Sequence, residues 1–381
     1  MEPLYEAPAL GLDDVAVIDE IRQIRADLAS VLRAPKRWDE TLRRTAQARA
    51  IQGSNSIEGY SVSDEDAAAA VEDEPPLSAD ERTWAEIIGY RRVLTYVLNV
   101  AAVPGFAINE SVLQSMHFML LEHELTKSPG RYRTGPIYVH DDQADQPVYE
   151  GPDAERVPEL MGSLVANIAV DPGDVLVRAA MAHLNLVMIH PFRDGNGRMA
   201  RALQTMVLAQ EQVLEPTFSS IEEWLGRNTG DYYSVLAATG QEAWHPERDT
   251  RLWVQFNLRA HHMQAQTTQR RFAEAERLWV LVDEVVARHE LPERAADAVF
   301  DALLGVRVTR PLYVKRTGVE DRTATRDLMR LAELGVLEAH GQTRGRTYTA
   351  GAPLREQLEL LRRQRAPLRD PYPGLAAELR R

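Results

Sequence analysis

The sequence predicts a mostly α-helical chain, with one small β-hairpin inserted in its helical core and a compact helix–helix–hairpin unit near its C-terminal end. Three observations predict it. Apolar residues recur at three- and four-residue spacing through long stretches of the 381 residues, the periodicity of helices with one buried face. Turn residues adjoin short β-prone runs at 130–139 and again at 336–349. A proline and two glycines interrupt the helical pattern at 190–198.

The elements follow in chain order. Residues 12–60 predict two amphipathic helices with Pro35 in the turn, and Val15, Ile18, Ile21, Ile24 and Leu28 form the apolar stripe of the first. Residues 72–79 are acidic and proline-interrupted, so they predict a loop, with Ser78 as the N-cap of the next helix and Glu81 closing a capping box. Residues 80–240 form the helical core, and 130–139 insert the hairpin. Val177, Ala180, Met181, Leu184, Val187 and Met188 share one face of a helix that ends at Ile189, because the residue before Pro191 is pushed out of the α region. Met199, Leu203, Met206 and Val207 mark a new helix from Arg198 onward. Helices continue beyond the core, through the long stretch from Trp253 to His289, and no internal repeat stands out.

The run His190-Pro191-Phe192-Arg193-Asp194-Gly195-Asn196-Gly197-Arg198, followed by Arg201, carries the chemistry. It predicts helix, glycine-rich turn, helix N-terminus. Gly195 and Gly197 permit left-handed turns. Free N–H groups at a helix start attract anions. Arg198 is placed to fork onto a phosphate. Asp194 is a hard carboxylate beside that cradle and a natural Mg²⁺ ligand. His190 is the one side chain here whose ordinary pKa lies near neutrality, so it is the candidate base. Together these are the parts of a phosphoryl-transfer site. A capped interhelical turn needs none of the histidine, phenylalanine and spaced arginines.

This run resembles the signature of the Fic family, His-x-Phe-x-Asp/Glu-Gly-Asn-Gly-Arg with a second Arg three residues on, and every fixed position is present. The resemblance implies a helical enzyme that transfers AMP from ATP, with Mg²⁺, to a Ser, Thr or Tyr hydroxyl of a target protein. On this chain it implies His190 as the base, Asp194 as the metal ligand, and Gly195, Asn196 and Gly197 as the α/β-phosphate cradle. Arg198 would grip the phosphates and Arg201 the γ-phosphate. Gly197 after Asn196 matches the AMP-transferring members rather than the phosphotransferase branch, which tends to have Lys there.

Two further segments support the resemblance. Gly130-Arg131-Tyr132-Arg133-Thr134-Gly135-Pro136-Ile137-Tyr138-Val139 resembles the Fic flap, a hairpin that aligns an extended target segment by strand addition, with Thr134, Gly135, Ile137 and Tyr138 as its flap residues. Ser54-Asn55-Ser56-Ile57-Glu58-Gly59 resembles the family's inhibitory motif, Ser/Thr-x-x-x-Glu-Gly/Asn. The implied roles fall on Ser54, Glu58 and Gly59, with Glu58 pairing to Arg201 where the γ-phosphate would sit. The other reading of that segment is a plain helix C-terminus with Gly59 at C′. Asn228 followed by Tyr232 and Tyr233 resembles the segment that closes over the base in related Fic proteins, which makes Tyr233 a candidate nucleotide contact; helix packing is the competing account. His183, His261 and His262 lack the spacing of a metal site and are expected to pack.

Composition bounds the remaining classes. The chain has no cysteine, which excludes disulfides, thiolate zinc sites and cysteine nucleophiles. No basic n-region with an apolar h-region opens it, and no apolar run reaches the ~18 residues of a membrane span, so a cytoplasmic location without membrane contact is expected. A formal charge of −13 argues against broad nucleic-acid affinity of the whole chain. The charge is uneven. Residues 291–381 hold 17 Lys and Arg against 12 Asp and Glu, a net of +5, while the remainder carries −18.

That basic end predicts a module of its own. A helix over 293–304, a short extended piece over 310–314, a helix over 321–335 closed by Gly335 as its C-cap, and strands at 336–339 and 346–349 around a tip at 341–345 form winged helix-turn-helix architecture. It resembles the winged helix often attached to Fic cores. The Arg322, Thr323, Thr325, Arg326 face and the Arg344 and Arg346 wing suit DNA contact; protein docking or dimerisation suits the same surface. Family resemblance alone raises a homodimer. The organisation predicted is an N-terminal helical region with the inhibitory motif (1–75), a Fic catalytic core (76–265), a connecting helix (266–290), a winged helix-turn-helix (291–352) and a C-terminal tail (353–381). Two classes compete for its function: an autoinhibited adenylyltransferase, and a DNA-binding regulator whose core senses nucleotide. Removal of AMP, with Glu58 positioning a water, stands open within the first.

Overall fold

The computed structural model describes residues 2–101, 103–141, 146–210, 212, 214–341 and 346–379. Helix α1 (Leu12–Leu32) and α2 (Asp39–Ile57) lead into α3 (Asp64–Glu72), α4 (Glu81–Val100) and α5 (Glu110–Leu121). The hairpin β1 (Tyr138–Asp141) and β2 (Gln146–Glu150) follows. Then come α6 (Val157–Val170), α7 (Val175–Ile189), α8 (Asn196–Ala209), α9 (Pro216–Ser219), α10 (Glu222–Arg227) and α11 (Thr229–Gly240). The long α12 (Arg251–Arg288) leads to α13 (Ala295–Leu303), β3 (Val308–Thr309), α14 (Arg310–Thr317), α15 (Asp321–Glu333), β4 (Leu337–His340), β5 (Thr347–Ala350), α16 (Ala352–Arg363) and α17 (Leu375–Glu378).

Helices α7 and α8 are the centre. Nearly every residue of α8 is buried, because α4, α5, α2 and α9 pack around it. One apolar core joins α4 to α8, α11 and the first half of α12. A second joins the later half of α12 to α13, α14, α15, β4 and β5, with Leu28, Trp38 and Leu42 reaching in from the N-terminal helices. Helix α12 runs through both, since its apolar positions persist over all 38 residues. No helix among the described residues is long and apolar enough to cross a membrane.

In the basic C-terminal unit, β5 lies between β3 and β4, antiparallel to both, beside α13, α14 and α15. A polar cluster ties that unit to the N-terminal helices. Glu72 of α3 takes Arg44 of α2 at 2.9 Å, Arg316 at 3.1 Å and Lys315 at 3.2 Å. Asp301 of α13 pairs with Arg316 and accepts from Thr41 Oγ1 at 2.9 Å. The segment after α16 folds back onto the core. Asp370 meets Arg259, Tyr372 donates to Asp14, and Leu375 is buried.

Several local expectations are corrected. Val15 is exposed; Val17 takes its place on the buried face of α1, because the stripe turns to follow α12. Ser78 is not the N-cap of α4. Asp80 is, its carboxylate accepting from Thr83 N–H, while the Ser78 hydroxyl and N–H turn back onto the carboxylate of Asp66. A buried acid that needs several donors outcompetes a helix end that has another cap. The hairpin is centred beyond 130–139: only Tyr138 and Val139 join strand β1, and its partner β2 lies at 146–150. Residues 310–314 are helical, not extended. Thr309 caps α14 by accepting from Leu312 N–H at 3.2 Å, Pro311 suits the first turn, and the extended piece is Val308–Thr309 just before. Helix α8 starts two residues before Arg198. The tip residues 342–345, Arg344 among them, lie outside the described residues.

Candidate active site

The site sits in the turn between α7 and α8. His190 ends α7 in the left-handed conformation, φ 50° and ψ 57°, which turns its ring off the helix axis. Its Nδ1–H donates to Val187 O at 3.0 Å, leaving Nε2 with its lone pair. Burial lowers its pKa below the ordinary imidazole value, with Arg133 working in the same direction against Val187, Glu58 and Asp194. The ring therefore stays neutral and able to accept a proton.

Gly195, at φ 75°, is the N-cap of α8. A side chain there would be strained and would also meet Leu120 Cδ2 at 2.9 Å. Asn196 closes the turn. Its Oδ1 accepts from Phe192 N–H at 2.9 Å and its Nδ2 donates to Phe192 O at 2.8 Å. Asn196 thus shapes the anion cradle with its side chain, and the N–H groups at the start of α8 remain for an anion. Phe192 is buried and stacked on His117, ring centroids 3.8 Å apart.

Asp194 is held from three sides. Its Oδ1 accepts from Gly195 N–H at 2.6 Å, and its Oδ2 meets Lys127 Nζ at 2.9 Å. Its carbonyl accepts from His117 Nε2–H at 3.0 Å, while His117 Nδ1 accepts from Gly130 N–H at 2.8 Å. His117 is pushed down to about 4 by burial, so it is a fixed neutral spacer. Burial alone would raise the Asp194 pKa; Lys127, Gly195 N–H and Arg198 together hold it below the usual carboxylate range. Among the described residues no three His, Cys, Asp or Glu gather into a metal cluster. A lone ionised carboxylate beside an anion cradle fits Mg²⁺ of the kind that is shared with substrate phosphates.

The two arginines are buried and differently engaged. Arg198 Nη1 pairs with Glu86 of α4 at 2.5 Å, and its guanidinium lies 5.4 Å from the Tyr60 ring. Arg201 donates from Nε to Ser54 Oγ at 2.8 Å, and from Nη2 to Ser54 O at 2.9 Å and Glu58 Oε1 at 2.7 Å. Burial opposes its charge, but Glu58, Tyr232 and Tyr90 together offset this and raise its pKa. Arg201 Nη1 and Arg198 Nε have no hydrogen-bond partner among the described residues. Glu58 Oε1 lies against Gly197, in the space a Cβ there would fill, next to Arg201 Nη1. The carboxylate therefore covers the start of α8. Glu58 is the C-cap of α2 and Gly59 follows at φ 84°, so the segment is a helix terminus as well.

The hairpin is anchored beside this turn by Arg133. It donates to His190 O at 2.9 Å, to Gly135 O at 2.8 Å and to Pro152 O, and its N–H donates to Pro191 O. Ile137 O accepts from Gly151 N–H at 3.2 Å, and Thr134 and Tyr138 are exposed. Tyr233, half exposed, donates to Ile57 O at 2.9 Å, beside the Glu58 turn. Tyr232 is buried, donating to His183 Nε2, and its ring lies 5.9 Å from Arg201. His261 and His262 are also buried and hydrogen-bonded.

The predicted residues of the run, with Ser54, Glu58 and Tyr233, thus converge. Sequence reasoning missed His117, Lys127 and Glu86, which form part of no recognisable spacing and are brought in by packing; Arg133 lay in the flap-like segment, but its anchoring role was not read.

Comparison with known proteins comes to the same region. Residues 107–208 match the Fic/DOC family. The protein adenylyltransferase Fic of Nematostella vectensis is 28% identical over 198 residues, 51% of this chain and 45% of that protein. Protein adenylyltransferase fic-1 of Caenorhabditis elegans is 28% identical over 156 residues, 41% of this chain and 29% of that protein. This chain spans less than half the length of these curated relatives. A crystal structure of a Fic family protein from Desulfovibrio desulfuricans G20 superposes with a TM-score of 0.57 at 24% identity, covering 92% of this chain and 99% of that one. That likeness establishes the shared fold.

Proposed function

We propose that this chain is an autoinhibited protein adenylyltransferase, moving AMP from Mg-ATP onto a Ser, Thr or Tyr hydroxyl of a protein. One observation carries the reading: a buried arginine of the cradle, Arg201, is capped by a carboxylate, Glu58, that lies on the anion-binding start of α8 beside a neutral His190. The relatives named protein adenylyltransferase support the reaction class.

The hydroxyl donates its proton to His190 Nε2 as its oxygen attacks the α-phosphorus. The bond to the bridging oxygen breaks and pyrophosphate leaves. The Nδ1–H bond to Val187 keeps Nε2 the accepting nitrogen until it takes the proton, and holds the imidazolium that forms. The α8 N–H groups and the unpartnered arginine N–H groups stabilise charge on the phosphoryl oxygens without reorganising. Asp194 would hold Mg²⁺, which when bound neutralises phosphate charge. Thr134, Gly135, Ile137 and Tyr138 precede or begin the hairpin whose strand we assign to aligning the target. Tyr233 is assigned to the nucleotide base on its resemblance to the base-closing segment of Fic proteins, and its hydroxyl also holds the turn that carries Glu58.

Glu58 inhibits by electrostatics. A γ-phosphate must take the place of its carboxylate on Arg201, and two anions cannot share one guanidinium face at this range.

The test is incubation of wild type, Glu58→Gly and Glu58→Gly/His190→Ala with Mg²⁺ and α-labelled ATP. Labelling of Glu58→Gly is expected to exceed wild type about tenfold or more. The added His190→Ala is expected to remove about 10²–10⁴-fold of that rate. Equal labelling of wild type and Glu58→Gly would refute the inhibitory role.

A further inference from the structure

Lys127 is one of only three lysines among the 44 lysines and arginines of the chain. It ends the short turn Leu125–Lys127, before the hairpin. That turn is fixed to the site at both ends. Arg193 Nη1 donates to Thr126 O at 3.2 Å, and Gly130 N–H reaches His117, which holds the Asp194 carbonyl. The ammonium is therefore presented to Asp194 from a fixed base on a flexible four-carbon stem.

Each oxygen of Asp194 has its own partner. The backbone N–H of Gly195 and the buried ring of His117 cannot leave without remaking the turn. Lys127 can, because its side chain is 38% exposed. Its ammonium sits on Oδ2 at 2.9 Å, on the one carboxylate oxygen that lacks a backbone partner. An arginine would grip both oxygens in a planar fork and resist exchange; a lysine offers one strongly hydrated point charge. A compact monovalent charge on one oxygen is what a hard dication displaces.

We propose that Lys127 is a cation gate on Asp194. In the nucleotide-free protein it occupies the carboxylate oxygen that a divalent ion needs, so free metal binds poorly. A cation delivered on a polyphosphate displaces it, and the released ammonium transfers to the phosphate oxygens. Metal and nucleotide then enter together. The inference rests on the reading of Asp194 as the metal ligand.

The test is titration of Mn²⁺ alone, followed by the EPR signal of the free ion, on the full chain without nucleotide. Wild type, Lys127→Gln, Lys127→Arg, Asp194→Asn and Lys127→Gln/Asp194→Asn are compared after thermal unfolding has shown each to be folded. Lys127→Gln is expected to bind Mn²⁺ about tenfold more tightly than wild type, since a competing positive charge is gone. Lys127→Arg is expected to bind no better than wild type. Equal affinity of wild type and Lys127→Gln, with Asp194→Asn weaker than both, overturns the gate and leaves the metal ligand standing. Tight binding in Lys127→Gln that survives Asp194→Asn overturns the metal ligand itself.

Discussion

His190 shows how one residue is prepared by its backbone. It is a non-glycine residue at φ 50°, a strained conformation that Pro191 does not by itself favour, and its own N–H still closes the last turn of α7, onto Leu186 O at 3.0 Å. That conformation aims the ring into the turn, and the Val187 carbonyl selects the tautomer. Burial then lowers the pKa. The sign is clear: a base works when neutral, and a lowered pKa keeps it neutral to more acid pH. In the Glu58→Gly variant the labelling rate is therefore expected to reach half its plateau below about pH 6.5, the ordinary imidazole value. A rate profile between pH 4.5 and 8.5 checks it, and a midpoint well above 6.5 would mean that another group limits the reaction.

At the scale of elements, α2 is the helix on which the proposed inhibition depends. It delivers Ser54 to Arg201 and Glu58 to the start of α8. It lies close enough to do so because Gly53 meets α10 without a side chain: a Cβ there would fall 2.5 Å from Glu222 O, and Gly226 on the facing helix packs back against Gly53. Gly53→Ala is expected to cost about 2–4 kcal/mol in chemical denaturation, because backbone and not a movable side chain stands in the way. The same variant is expected to show more self-labelling than wild type, as α2 is pushed off α10 and Glu58 is withdrawn. A variant of native stability and native labelling would show that the approach is slack.

For the whole molecule, α2 joins the two ends of the chain. Its first half binds Glu72 and Asp301 through Arg44 and Thr41, in the cluster shared with Arg316 of α14; Ser54 and Glu58 at its other end bond to Arg201 of α8. The C-terminal unit is proposed to be a winged helix, from its element order and the β3-β5-β4 sheet. On α15, Arg322, Arg326 and Arg330 stand one turn apart on the exposed face. That row favours a second reading, in which the unit docks on duplex DNA. The full chain is expected to retard a labelled duplex at low salt, and an Arg322→Ala/Arg326→Ala/Arg330→Ala variant is expected to lose about 10-fold or more in affinity. Equal retardation by the two would remove α15 from the interface, and none by either would remove DNA.

Much was legible before any coordinates. The run from His190 to Arg201 had to be a helix, a left-handed turn and a helix start, because proline and glycine act locally and one spacing dictates them. The apolar periods of α7 and α8 were equally local, and that of α1 held except at Val15. The hairpin, the cap of α4 and the start of α14 were displaced from expectation, because each was settled by a competition: Asp66 drew Ser78 away, and Thr309 drew residues 310–314 into a helix. Glu58 could be suspected from its neighbours in sequence, but its meeting with an arginine 143 positions away is a fact of packing. The sequence by itself determined which groups the turn carries and how its backbone must bend. Only the tertiary structure decided that Arg198 faces Glu86, that Asp194 shares its charge with Lys127, and that a carboxylate covers the anion cradle. Local bending follows from steric limits within a few residues, whereas the partner of a buried charge is set by whichever distant element closes over it.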